Sequence, residues 1–218
     1  MSRRALIQYL ELLKQSGIRQ LYHEPAKVLT PLDKKALLES LARKYADCDK
    51  CPLAAGRLNL VYGEGNENST AMLIGEAPGD SENKIGKPFV GAGGKLLDKM
   101  LEAIKISRED IYIANIVKCR PPENRNPSTE ERLACLPYLV EQIQIIQPKI
   151  LLIMGLVAAQ SLLGNTNTLT WHRETCHEFM GIPAFVTYHP AALLRNSNWK
   201  RPAWEDLQAF QKEYEKLL

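Results

Sequence analysis

The sequence predicts an α/β protein in which a central, mainly parallel sheet of four strands lies between two layers of helices. Two observations carry this prediction. Four short apolar runs, each typical of a buried strand, alternate with segments whose apolar residues recur at helical spacing. Strands joined by helical crossovers pair in parallel, and a parallel sheet is covered by helices on both faces. The 218 residues suffice for one well-packed domain with an extension.

The first part of the chain predicts a helical extension that precedes the sheet. Residues 3–16 carry apolar side chains at helical spacing, and residues 17–30 have no regular pattern. A second helical pattern covers residues 32–45. We therefore expect an N-terminal helical extension over residues 1–45 and a main domain over residues 46–218.

The main domain repeats a strand-then-helix theme. Apolar runs predict strands over residues 71–74, 111–117, 149–154 and 183–187. Helical patterns follow them over residues 94–104, 128–146, 156–163 and 202–217. The segment 164–181 fits a short hairpin or a loop.

The predicted strands end in polar and glycine-rich segments. Their carboxyl ends carry the sequences GEAPG, NIVKCRPP, MG and YHPAALLR, in chain order. In an open α/β sheet, ligands bind outside the carboxyl ends of the strands. The sequence therefore predicts one functional site at this edge of the sheet.

Four of the five cysteines form a pattern that is typical of a metal site. Cys48 and Cys51 form a C-x-x-C pair, and Cys119 and Cys135 lie far downstream. Four thiolates suit a structural zinc ion or an iron–sulfur cluster, and the spacing alone does not separate the two. Cys176 lies outside the pattern.

Composition narrows the classes of function. The net charge of +3 permits a nucleic-acid partner without requiring one. No apolar run approaches the roughly 20 residues that cross a bilayer, and the first residues lack the apolar core of a secretory signal. No G-x-G-x-x-G or Walker A loop follows a predicted strand, which disfavours a Rossmann-like nucleotide-binding enzyme. We expect a cytoplasmic monomer with no membrane partner.

These motifs resemble those of the family 4 uracil-DNA glycosylases, the iron–sulfur type of bacteria and archaea. The resemblance covers residues 46–204 and rests on six motifs in the same order. They are C-x-x-C at 48–51, GEAPG-x-x-E at 75–82, GKPFVG at 86–91, N-x-x-x-C-R-P-P at 115–122, Cys135, and HPAALLR at 189–195.

The resemblance implies a role for each matching residue. Cys48, Cys51, Cys119 and Cys135 are expected to ligate a [4Fe–4S] cluster. The expected substrate-binding residues, which contact a uracil flipped out of DNA, are Glu76, Ala77, Gly79, Phe89 and Asn115. Among them, Phe89 stacks on the base, Asn115 bonds its Watson–Crick edge, and Glu76 lies near C5 and excludes thymine.

The resemblance also implies association with the nucleoid and identifies the expected catalytic and DNA-binding residues. His189 is expected to stabilise the negative charge on O2 of the leaving uracil. Glu82 is expected to orient the attacking water or to offset the positive charge on the sugar. The expected DNA contacts are Arg120, Arg125, Leu193, Leu194 and Arg195, with the two leucines forming a wedge.

Departures from related types narrow the subtype. The type that traps abasic DNA carries GEQPG and a basic insertion, whereas position 77 is Ala here and no insertion follows Cys119. The family 5 type lacks the carboxylate that Glu82 supplies. Two alternatives stay open: a related glycosylase that accepts other deaminated bases, and a non-catalytic nucleic-acid-binding module stapled by zinc.

Overall fold

A computed structural model describes residues 30–218 and, before them, Glu11 and Lys14, both of which are helical. The helix predicted over residues 3–16 and the irregular segment predicted over residues 17–30 therefore lie almost entirely outside the described residues. Among the helices of the described residues, none is long and apolar enough to span a membrane.

Helices and strands alternate from residue 71 onward, as the sequence predicts. The α-helices are α1 (Pro31–Lys44), α2 (Asp80–Ile85), α3 (Ala92–Ala103), α4 (Thr129–Ile146), α5 (Leu156–Leu163), α6 (Leu169–Glu174), α7 (Pro190–Arg195) and α8 (Lys200–Glu215). The strands are β1 (Glu64–Gly65), β2 (Ala71–Gly75), β3 (Tyr112–Asn115), β4 (Ile150–Met154), β5 (His177–Phe179) and β6 (Ile182–Thr187). Short 3₁₀ turns cover Pro52–Gly56, Arg108–Asp110, Pro122–Asn124 and Ser197–Trp199.

The sheet has six strands in the order β1-β3-β2-β4-β6-β5, two more than the sequence predicts. The four predicted strands form its parallel centre, and the additional strands pair antiparallel at the two edges. The segment before β6 forms both the helix α6 and the edge strand β5, so only part of it is a hairpin. The β2–β3 and β2–β4 pairings place successive crossovers on opposite sides of β2, where open sheets bind ligands.

Each face of the sheet is covered by its own hydrophobic core. Along β2, Met72 and Ile74 face the core beneath α1, α4 and α5, whereas Ala71 and Leu73 face the core beneath α3 and α8. All four side chains are fully buried, as period-2 alternation predicts for a strand covered on both sides. Two independent cores therefore fix the sheet, and its carboxyl edge is left for polar residues.

The start of α1 is set by local capping and its position by long-range contacts. Thr30 and Asp33 form a reciprocal capping box at its first turn. Leu38 is buried in the core beneath α4, and Tyr45, just after the helix, stacks on Tyr138 at 3.9 Å between ring centroids. The described part of the predicted extension thus packs directly on the sheet's helical layer.

Candidate active site

A cleft of about 800 Å³ lies along the carboxyl edge of the parallel strands. The segments that follow β2, β3, β4 and β6 all line it, which confirms the convergence expected from an open α/β sheet. Its lining includes all seven residues that were predicted to bind substrate or to take part in catalysis: Glu76, Ala77, Gly79, Glu82, Phe89, Asn115 and His189.

Asn115 ends β3 at the floor of the cleft. Its side chain is 1% exposed, and its Oδ1 atom has no hydrogen-bond partner among the described residues. An unpaired polar atom in a buried position costs roughly 1–3 kcal/mol, so such an atom beside a cleft is placed to meet a ligand. A Cβ at Gly75 on the neighbouring strand would collide with Oδ1 and with the Phe89 ring, so glycine keeps this space open.

Phe89 forms one wall of the space above Asn115. Its side chain is only 6% exposed and packs in the α3 core. The reason is the backbone, which takes a left-handed conformation at φ 51°, a strained choice for a bulky residue. Gly94 in α3 lets the helix approach the Phe89 carbonyl closely. The ring stacks against that of His189, 5.4 Å away between centroids.

Glu82 organises the two loops beside the cleft. Its Oε2 accepts a hydrogen bond from the Gly79 amide at 3.1 Å. Its Oε1 accepts two more, from the Val90 amide at 2.9 Å and the Gly91 amide at 2.7 Å. Charge-assisted bonds of this kind are about twice as strong as neutral ones. Both carboxylate oxygens are therefore already engaged by backbone.

His189 begins α7 and is held in one tautomer. Its Nδ1 accepts a hydrogen bond from the Ala191 amide at 3.2 Å, so the proton of the neutral ring sits on Nε2. The pKa of His189 is lowered from 6.5 to about 4, mainly by desolvation and also by the charge of Arg195, whereas the charge of Glu82 acts to raise it. A neutral imidazole with a proton on Nε2 is a hydrogen-bond donor that adds no charge to the site.

Glu76 supplies a second carboxylate. It follows β2, and its backbone carbonyl accepts from the Val117 amide at 3.1 Å. Burial raises the pKa of Glu76, while the charges of Arg132 and Arg195 act to lower it. Unlike Glu82, Glu76 makes no side-chain hydrogen bond to the described part of the chain, so its carboxylate is available to a ligand in the cleft.

The basic loop after β3 is only partly a surface for DNA. Arg125 lines the cleft but donates two bonds to Glu131 at 2.7 and 2.8 Å, and Arg120 is held by Asp80 at 2.7 Å. Lys118, which lies in the same loop, is fully buried. Its Nζ donates to the Asn115 carbonyl at 2.9 Å and to Gln142 at 2.6 Å, so it supports the end of β3 instead of contacting phosphate.

Of the two leucines that were predicted to form a wedge, only one is exposed to solvent. Leu194 is 51% exposed and Arg195, which lines the cleft, is also exposed. Leu193 is only 3% exposed and packs in the α3–α8 core, so its placement at the DNA surface is corrected. Adjacent side chains on a helix point about 100° apart, so Leu193 can face the core while Leu194 faces solvent.

The four patterned cysteines gather beside the end of β3. All are free thiols. Electrostatic interactions join Cys51 to Cys48, Cys119 to both of these, and Cys135 to Cys119 and Cys51. Burial raises the pKa of Cys135 to about 12, so a cationic partner is needed to make it a thiolate. Among the described residues, no group of three or more His, Cys, Asp or Glu side chains is arranged so that it could hold a single metal ion.

Hydrogen-bond donors already point at these sulfurs. The Lys118 amide donates to Cys135 Sγ at 3.2 Å, and Arg57 donates to Cys119 Sγ at 3.6 Å. The Tyr138 hydroxyl and Cys48 Sγ lie 2.9 Å apart. Thiol ligands supported by such donors fit an iron–sulfur cluster, whose properties depend on hydrogen bonds to sulfur.

Reasoning from the sequence gave no individual role to several residues of the cleft. Gly155, Tyr188 and Trp199 all line the cleft. Gly155 follows β4 at φ +96°, and a Cβ there would lie 3.1 Å from the His189 Cβ. The signal for Gly155 was present, because a glycine directly after a buried strand marks a close approach. Trp199 carried no motif of its own.

Comparisons with known proteins agree with this geometry. The model of the uracil DNA glycosylase superfamily matches residues 62–208. The chain is 41% identical to a type-4 uracil-DNA glycosylase of Pyrobaculum aerophilum, covering 79% of this chain and 92% of that protein. It is 39% identical to a type-4 uracil-DNA glycosylase of Thermotoga maritima, covering 80% and 93%. A type-5 uracil-DNA glycosylase of Pyrobaculum aerophilum is 30% identical over 79% and 89%.

The fold, the cleft and these matches define the class of protein. The chain belongs to the uracil DNA glycosylase superfamily, and within it to the type-4 uracil-DNA glycosylases. The type-5 relative is less similar to the chain than these two type-4 relatives are.

Proposed function

We propose that this protein is a DNA-repair glycosylase that takes uracil out of the DNA stack and hydrolyses its N-glycosidic bond, leaving an abasic site. The observation that carries the proposal is the unpaired, buried Oδ1 of Asn115 at the floor of the cleft. This acceptor suits the N3–H of uracil, and the amide N–H₂ of the same side chain suits its O4. Cytosine presents the opposite pattern of donor and acceptor at those positions.

His189 supplies stabilisation on the base side of the bond. As the bond breaks, negative charge develops on O2 of uracil, and a prepositioned donor lowers the energy of that state. The Ala191 amide fixes the proton on Nε2 of His189, which makes Nε2 the donor. A neutral donor does not have to lose charge when the product leaves.

The carboxylates of Glu76 and Glu82 are proposed to have different roles on the sugar side of the bond. Glu82, whose oxygens bind three backbone amides, positions the loops that carry Gly79 and Phe89. Glu76 lies in the same cleft with its carboxylate uncommitted. We therefore assign to Glu76 the contact with the attacking water or the cationic sugar, along with its place near C5. Glu82 acts as a positioning residue, and its negative charge favours the same transition state at longer range.

The four thiols are proposed to hold a [4Fe–4S] cluster. When bound, the cluster acts as a structural staple and takes no electron in the reaction, because hydrolysis of a glycosidic bond is not a redox step. Cys119 stands four residues after Asn115, and Cys51 stands at the start of the main domain. The staple therefore joins the end of β3 to the segment that follows α1.

Further features of the proposal follow from the same cleft. DNA is the substrate, with Arg125 and Arg195 on the cleft and Arg120 beside it providing phosphate contacts. Residues 1–45 are proposed to be an extension to a catalytic domain over residues 46–218. We also propose that the protein acts as a monomer in the cytoplasm.

Release of free uracil from a uracil-containing oligonucleotide tests the proposal. Purified protein is incubated with the single-stranded and duplex forms without added metal, and abasic sites are detected by alkaline cleavage. Cleavage at the uracil position is expected, and Asn115→Ala should abolish most of it. Intact oligonucleotide after incubation with folded, iron-loaded protein would contradict the proposal. Oligonucleotides with hypoxanthine at the same position measure the broader specificity.

A further inference from the structure

We infer that Trp199 stacks on a nucleobase that flanks the flipped uracil, so that the protein binds an unpaired strand on this side of the cleft. The inference rests on the proposed function and adds a second base-binding position to it. Trp199 lines the same cleft as His189 and Asn115, yet 39% of its surface is exposed. The cleft, at about 800 Å³, is several times larger than one nucleobase.

The ring of Trp199 is held by a rigid stack. It lies on the ring of Tyr188 with 5.2 Å between centroids and 18° between planes. Arg173 covers the Tyr188 ring, 4.6 Å from its centroid. Arg173 is itself fixed by two bonds to Asp206 at 2.7 and 2.9 Å. An aromatic face that is already ordered loses little entropy when a base stacks on it.

The charges around Trp199 fit a nucleic-acid strand. Arg195 lies before it on α7, and Lys200 and Arg201 follow it directly. All three are exposed. Arg201 contacts Glu205 at 3.5 Å, but this pair is largely in solvent. A basic groove with an aromatic ring inside it is the usual arrangement for binding single strands, because every base offers a ring face and every nucleotide a phosphate.

The position also separates Trp199 from the other exposed tryptophans. Trp171 and Trp204 are 41% and 39% exposed, but neither lines the cleft. Scattered exposed apolar residues are normal on a soluble protein and need no partner. Trp204 therefore serves as a control with equal exposure and no expected contact with DNA.

A base can stack on Trp199 only after it leaves its own neighbour in the duplex. In a single strand this costs little, whereas in a duplex a base pair beside the uracil must also open. The structure therefore points to single-stranded DNA as the preferred substrate, through contacts outside the uracil pocket.

The test combines variants of the protein with changes in the strand. Trp199→Ala, Trp199→Phe and Trp204→Ala are compared on single-stranded oligonucleotides whose uracil has ordinary bases, an abasic 5′ neighbour or an abasic 3′ neighbour. Trp199→Ala should raise the Kd for the ordinary strand about fivefold or more, the effect of one lost base stack. Trp199→Phe should keep most of the affinity, and Trp204→Ala all of it.

The abasic strands give the decisive comparison. For the native protein, one of the two abasic neighbours should raise Kd by the same factor as Trp199→Ala. In that variant, the same abasic neighbour should have no further effect, as expected when both changes remove one contact. If neither abasic neighbour weakens binding by the native protein, the inference is wrong, even if Trp199→Ala does not fold. Absence of uracil release from every strand would instead contradict the proposed function.

Discussion

Asn115 is the residue on which uracil recognition is proposed to depend. Its Oδ1 is buried, has no partner in the described residues and faces the cleft. Asn115→Asp should lower the ratio of kcat/KM for uracil to that for cytosine by at least about a hundredfold, because a carboxylate accepts from the cytosine amine but cannot donate to O4. Competition between uracil- and cytosine-containing strands measures this ratio.

Asn126 provides the matched control for that substitution. It lines the same cleft and is exposed, so Asn126→Asp adds the same charge to the cleft without touching its floor. Asn126→Asp should leave the ratio unchanged. A similar fall for both variants would trace the effect to charge in the cleft and remove Asn115 from base recognition.

His189 makes a prediction about pH. Because its pKa is lowered from 6.5 to about 4, the unfolded chain binds this proton more tightly than the folded protein does. The contribution of His189 to stability should therefore be full above pH 6.5 and fall as the pH drops from 6.5 towards 4. The acid limb of kcat/KM should likewise lie near pH 4 and not near 6.5, as a pH–rate profile would measure.

Two variants connect that profile to hydrogen bonding. His189→Ala removes the donor to O2 and should lower kcat about a hundredfold or more, with a much smaller change in Kd for DNA. His189→Gln keeps an N–H₂ donor and should recover part of the rate without the acid limb. An acid limb that persists in His189→Gln would assign it to another group.

At the scale of elements, α2 and the loop before α3 depend on each other through Glu82. Its carboxylate is the acceptor that joins Gly79 to Val90 and Gly91. Glu82→Ala leaves these three amides without their acceptor and should lower the free energy of unfolding by about 2 kcal/mol. Urea denaturation measures this loss.

Asp80, on the first turn of the same helix, is the control. It pairs with Lys84 and Arg120 in solvent, so Asp80→Ala should cost much less stability. Glu82→Gln, which keeps one carbonyl oxygen as an acceptor, should fall between the two in stability. If Glu82→Ala lost activity without losing stability, direct participation of Glu82 in the reaction would replace its positioning role.

The same elements show which parts of the fold could be predicted from the sequence. The four parallel strands, their order along the chain and the convergence of their ends were predictable, because apolar runs and crossover helices leave few possible arrangements. Helix α2 was not predicted: its sequence DSENKI has almost no apolar pattern, and it is fixed by Glu82 binding to amides eight and nine residues away. Strand β1 has two residues, one of them a glycine, and gives no strand signal.

The orientation of side chains was the other feature that the sequence did not predict. The sequence marks Phe89, Leu193 and Leu194 as apolar residues near the site but does not say which are buried. The positive φ of Phe89 and the packing of Leu193 decide this, and both depend on contacts with the α3–α8 layer. The order of the motifs was enough to predict the chemistry, whereas the burial of these three side chains could be read only from the fold.

At the scale of the whole molecule, the proposed cluster site would join distant parts of the chain. Cys119→Ala should abolish iron binding, lower the unfolding temperature and reduce uracil release, because the end of β3 loses its anchor. Cys176 is exposed and outside the site, so Cys176→Ala should change none of these. Iron analysis and thermal unfolding measure the effect. Full iron content in Cys119→Ala, or zinc in the native protein, would contradict the proposed cluster.

The separation of the two cores from the cleft has a consequence for the way such an enzyme changes over time. The strands are anchored by side chains on their two faces, whereas the chemistry is placed on segments beyond their last residues. Most substitutions at the cleft therefore leave the scaffold's stability alone, and most core substitutions leave the reactive groups unchanged. Gly75, Glu82 and Phe89 are exceptions. Gly75 leaves room for Asn115 and Phe89, Glu82 joins two loops, and Phe89 packs in a core while it lines the cleft. Adaptation to new bases or strand contexts can proceed through the loops, with these three positions held constant.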